Sequence, residues 1–86
     1  MPRYRYVIEE DAATGLLSVE DSQIRRLIAA IEALAADPKG RPDSYSLDAQ
    51  GRPLANKISG NFLIGYWFEH PAHRLHILRI DPLTSE

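Results

Sequence analysis

The run Phe62-Leu63-Ile64-Gly65-Tyr66-Trp67-Phe68 limits what this chain can become more than any other stretch. Laid out as a strand, it puts Phe62, Ile64, Tyr66 and Phe68 on one side and Leu63 and Trp67 on the other, with Gly65 between them. Side chains alternate across a strand, so both of its faces need cover. A strand of that kind belongs in the middle of a sheet. Turn residues flank it. Ser59-Gly60-Asn61 precedes it, and Gly and Asn tolerate positive φ. Glu69-His70-Pro71-Ala72-His73 follows it, with proline fixing its own φ. Residues 54–80 therefore read as a three-stranded meander.

The rest of the chain supplies what covers that meander. Arg3–Ile8 alternates, with Tyr4, Tyr6 and Ile8 on one side, as in a half-buried strand. Asp11–Leu17 fits a short helix, which Gly15 weakens by about 1 kcal/mol. Ser18 is placed to cap a second, longer helix. In it Ile24, Leu27, Ile28, Ile31, Leu34 and Ala35 fall on one stripe, and Asp37-Pro38 ends it. The stripe needs burial, and the sheet is the only large partner. Residues 37–53 read as a long loop rich in proline and glycine, anchored by Leu47. The last strand, Arg74–Ile80, alternates imperfectly, with Leu75, Ile77 and Arg79 on one face and His76, Leu78 and Ile80 on the other. The tail from Asp81 is too polar and broken for another element. The expected fold is α+β: a small, mainly antiparallel four-stranded sheet with one or two helices packed on one face, in one domain over residues 1–86.

Composition narrows the function. The chain has no cysteine, which removes disulfides and cysteine-based zinc sites. A net charge of −2 argues against strong non-specific nucleic-acid binding. No secretory leader and no apolar run of about 20 residues is found, so a cytoplasmic protein with no membrane contact is expected. No phosphate-cradling glycine loop or nucleophile elbow is present, and no cofactor is expected.

Candidate residues remain. His70, His73 and His76 have a spacing that suggests a metal, but no further ligand completes a set, and exposed turn histidines are the simpler reading. Lys57, Arg74 and Arg79 lie on strands of the meander. If they share an uncovered face they form a basic patch, with Tyr66 or His76 beside them to stack on a base or move a proton. The plainer alternative is solvated charge on an open sheet. Lys39, Arg41 and Arg52 in the long loop offer phosphate contacts or simply keep it in water. Trp67 reads as core, and Glu69 has no evident acid–base partner.

The order of these elements resembles the RelE/ParE toxin superfamily. The helix end Ile31-Glu32-Ala33-Leu34-Ala35-Ala36-Asp37-Pro38 is similar to the family's "L..L..dP" signature. Ile58-Ser59-Gly60-Asn61-Phe62-Leu63-Ile64-Gly65-Tyr66 is similar to its "rvGdyRviY" hairpin, and Arg74–Ile80 to its closing strand. The resemblance implies a toxin bound and neutralised by an antitoxin, acting on ribosome-bound mRNA or on DNA gyrase. It implies RNA cleavage by basic side chains on the sheet, and if this chain cleaves RNA, the clustering of Lys57, Arg74 and Arg79 on adjacent strands points to them for phosphate contact, with His76 as acid or base. The chain departs from the pattern at Leu63, where arginine is expected, and at Asp81-Pro82-Leu83, which replaces a basic ending. A diverged member is implied, with two readings open: an mRNA interferase, or a non-catalytic protein-binding module on the same fold.

Overall fold

The computed structural model describes residues 3–83. Its elements run β1 (Arg5–Ile8), α1 (Glu10–Leu17), α2 (Asp21–Ala36), β2 (Ser44–Leu47), β3 (Pro53–Ser59), β4 (Phe62–Glu69), a 3-10 turn (His70–Ala72) and β5 (Arg74–Pro82). One five-stranded sheet is ordered β1-β5-β4-β3-β2. The apolar run forms β4, which holds the centre as expected, with Gly60 at φ 58 in the turn before it.

The sheet differs from expectation in one way. It has a fifth strand, β2, inside the supposed loop, pairing antiparallel to β3. Its sequence, Ser-Tyr-Ser-Leu, has no apolar alternation to announce a strand. Leu47, the expected anchor, is 66% exposed. β1 pairs parallel to β5 while the other three pairings are antiparallel, so the sheet is mixed and, as expected, mainly antiparallel. Everything between the two strands serves as the crossover that a parallel pair requires.

Both helices cover the same face. On α2, Leu27, Ile31 and Ala35 are buried at a spacing of four, against Ile64, Tyr66, Leu75, Ile77 and Ile80 of the sheet. Each large apolar side chain fully buried there is worth about 1.5–3 kcal/mol. The helix begins differently from expectation: Glu20 occupies the N-cap position, without a side-chain cap hydrogen bond. The Ser18 hydroxyl instead donates to the Gly15 carbonyl at 2.9 Å, closing the end of α1. At the far end Asp37, before Pro38, leaves the helical region at φ −133, ψ 69. Gly15 has a packing role: a Cβ there would stand 2.5 Å from the Ile80 carbonyl oxygen. Its missing side chain lets α1 lie directly on β5.

The last strand reaches Pro82, beyond the expected break at Asp81, and the Leu83 N–H donates to the Asn61 carbonyl at 2.7 Å. Residues 84–86 of the tail lie outside the described residues. Within β5 the register against β4 slips between Gly65 and Tyr66: Ile80 faces Ile64, but Ile77 faces Tyr66. One extra residue in β5 is a β-bulge, and it inverts the alternation beyond it. Leu75, Ile77 and Ile80 therefore enter the core, and Arg79 goes to the other face.

Candidate functional site

That other face carries no helix. Residues directly opposite one another on paired strands share a side of the sheet. The pairs Arg5–Arg74, Val7–His76, Trp67–His76, Glu69–Arg74, Gly65–Arg79 and Asn56–Gly65 thus place these side chains together on the open face.

His76 is its focal point. It sits on β5 between β1 and β4, with 15% of its side chain exposed. Its Nδ1 lies 3.0 Å from Glu9 Oε2, at the β1–α1 junction, and its Nε2 lies 2.8 Å from Glu69 Oε1, at the end of β4. Both partners are carboxylates, so a ring protonated on both nitrogens satisfies both contacts. A neutral ring would set one lone pair against a carboxylate oxygen. The hydrogen bond to Glu69, reinforced by Glu9, raises the His76 pKa above its ordinary value against the opposing effect of burial. The imidazole stacks on Trp67, with ring centroids 4.6 Å apart and planes 9° from parallel.

Arg79 comes to this face through the bulge. Its stem passes the missing side chain of Gly65, where a Cβ would meet Arg79 Cγ at 3.0 Å. Its Nε donates to Asp81 at 2.7 Å. Arg74 is exposed near the hairpin turn. Asn56, buried at 4% exposure, donates from Nδ2 to Ser46 Oγ at 3.2 Å, and its Oδ1 has no partner among the described residues.

The sequence-derived candidates divide accordingly. Arg74, His76 and Arg79 share the open face. Lys57 does not join them: it pairs with Ile64, a core residue, and so projects to the helix side. There it lines a 350 Å³ groove with Ala30, Leu34 and Asp37, and its ammonium lies 3.7 Å from Asp43. Tyr66 is also displaced from the expected patch. It is 2% exposed in the core, and burial pushes its phenol pKa up, so it has no access to a ligand on the open face.

The three histidines do not converge: His70 and His73 both pack against Tyr4, away from His76. The Tyr4 hydroxyl and His70 Nδ1 are 2.9 Å apart, and His70 stacks on Phe68, on the opposite side of the sheet from His76. Among the described residues no group of three or more metal-ligating side chains converges.

Sequence reasoning missed Glu9, Glu69 and Trp67. Counting outward from the turn between β4 and β5 pairs Glu69 with Arg74 and Trp67 with His76, so the stacked pair was within reach of the sequence. Glu9 was not, because the parallel β1–β5 pairing joins segments far apart in the chain.

No family model and no curated protein matches the chain. Solved structures do. A chain of the archaeal RelE–RelB complex from Pyrococcus horikoshii superposes with a TM-score of 0.76 at 18% identity, covering 99% of this chain and 100% of that one. A chain of the RelBE2 toxin–antitoxin complex from Mycobacterium tuberculosis does so with a TM-score of 0.75 at 17% identity, covering 94% and 99%.

Proposed function

From the RelE-like fold of this chain, we propose that it is the toxin subunit of a bacterial type II toxin–antitoxin pair, with a cognate antitoxin as its protein partner. The supporting observation is superposition over nearly the whole of both chains with members of two toxin–antitoxin complexes. The reading carries a cytoplasmic setting with it. No helix among the described residues is long and apolar enough to cross a membrane.

On this reading the target is messenger RNA, and the open face is where it is cut. Arg74 and Arg79 hold the scissile phosphate and stabilise the charge that builds on it. The adjacent ribose 2′ oxygen attacks phosphorus and loses its proton to solvent, while His76, held with a proton on each nitrogen, donates one to the 5′ oxygen as the P–O5′ bond breaks. To act, it must exchange a carboxylate contact for one to the substrate. Induced expression in a bacterium tests the assignment. Growth arrest with cleaved transcripts is expected, relieved when the antitoxin is co-expressed. Unimpaired growth with intact transcripts overturns the nuclease.

One observation favours a second reading, a non-catalytic protein-binding module. His76 and Arg79 are already paired with Glu9, Glu69 and Asp81, so substrate phosphates meet a face whose charge is largely balanced. Growth arrest with intact transcripts, and recovery of a protein such as DNA gyrase bound to the chain, would select this reading.

A further inference from the structure

One face of the Trp67 indole is taken by His76. A ligand that stacks on this ring must use the other face. Trp67 also lines a cleft of 160 Å³ with Asp48, Arg52, Pro53 and Leu78. That volume suits a single planar ring system, since drug-sized ligands occupy pockets of about 300–1,000 Å³. Pro53 and Leu78 make its walls apolar.

The polar part of the cleft is already oriented. Asp48 accepts from the backbone N–H groups of Gln50 and Arg52 at 2.9 and 2.8 Å, which closes the β2–β3 turn. Its other oxygen accepts from Arg52 Nε at 2.8 Å, and Arg52 Nη2 donates to Gln50 Oε1 at 2.9 Å. The guanidinium is thus held at two points, yet its side chain is 65% exposed, with N–H donors left over. Behind the indole, His76 is tied by both nitrogens to carboxylates, so the platform is fixed before any ligand arrives.

We propose that this cleft docks one unpaired nucleobase, stacked on the part of Trp67 that faces the cleft, with its acceptor edge toward Arg52. The proposal rests on the RNA reading of the open face and adds where a base is held. Aromatic stacking beside an arginine is how single-stranded nucleic acid is gripped. Guanine matches best, because its O6 and N7 acceptors fit the guanidinium fork. Trp67 and Arg52 are the binding residues of this cleft.

The chain has a single tryptophan, so its indole N–H is one resonance and its emission one signal. The full chain is titrated with GMP, AMP, CMP and UMP while both are followed. GMP is expected to shift the resonance and quench the emission saturably, ahead of the other three. Arg52→Ala should weaken GMP by about 5- to 150-fold, the range of one bidentate base contact. Arg52→Lys keeps the charge, loses the fork and should lose the guanine preference. An indole that none of the nucleotides moves at millimolar concentration overturns the proposal. So does an Arg52→Ala chain that binds GMP as the parent does, or an indole that responds only to a partner protein. Nucleotide binding without RNA cleavage in the cell would keep the cleft and remove the nuclease. Cleavage with an unresponsive indole would do the reverse.

Discussion

His76 and Trp67 stack 4.6 Å apart across neighbouring strands, and the histidine of that pair is gripped by a carboxylate at each nitrogen. The contact joins the β1–α1 junction, β4 and β5 through one ring. It gives the open face a rigid centre and makes that centre sensitive to protons.

The sign of that sensitivity follows from the raised pKa of His76, caused first by its hydrogen bond to Glu69. A group whose folded pKa exceeds its unfolded one binds its proton more tightly in the native state. Its stabilisation is complete below the unfolded value of about 6.5 and is lost as pH rises through the folded value. The stability difference between the parent chain and His76→Gln should therefore be largest at and just below about pH 6.5. It should shrink above that. Urea unfolding across pH measures it, and a difference that grows with rising pH would refute the imidazolium.

Asp48 behaves in the opposite sense. The Arg52 backbone N–H, above all, holds its carboxyl below the usual range. The ordering it gives the β2–β3 turn is present above the unfolded value of about 3.9 and is lost as pH falls through the folded value. Hydrogen exchange at the Gln50 and Arg52 amides should quicken in Asp48→Asn near neutral pH. Unchanged protection would detach the turn from that carboxylate.

Gly15→Ala should destabilise the protein although alanine is the better helix former. Alanine gains about 0.5–1 kcal/mol inside a helix. Its Cβ would stand 2.5 Å from a backbone oxygen of β5, and overpacking of that kind costs about 1–3 kcal/mol. A net loss near 1 kcal/mol lowers the melting temperature by about 4–8 °C in a domain of this size. A rise in melting temperature would mean that α1 does not lie on β5.

Ile31→Ala removes a side chain with no exposure from the centre of the α2 stripe. It should cost about 2–5 kcal/mol, as large-to-small changes in cores do. Ile58→Ala, at 49% exposure on the open face, should cost a fraction of that. Comparable losses in denaturant unfolding would contradict the assignment of the two faces.

If the open face acts on RNA, Arg79→Ala should reduce toxicity and transcript cleavage at least tenfold, as loss of one charge-stabilising donor does by about 100- to 1,000-fold in acyl-transfer sites. Lys57→Ala, on the helix side, should leave both intact. Equal losses from the two substitutions would require a substrate path around the sheet edge.

Three features were legible in the amino-acid order. Unbroken apolarity on both sides of Phe62–Phe68 demanded a central strand. The stripe from Ile24 to Ala35 demanded a helix lying on a sheet. Proline after Asp37 demanded its end. These follow from local periodicity and backbone sterics, which a chain carries in any context. The arrangement of the open face was decided by contacts between distant segments. A bulge in β5 carries Arg79 to the open face, against simple alternation, because Ile80 is drawn into the core beside Ile64. Register against β4 sends Lys57 to the helices. Parallel pairing with β1 brings Glu9 to a histidine 67 residues away. A strand's alternation can be read from its own residues, but its register depends on its neighbours, and one residue of slip changes which side of the sheet each charge occupies.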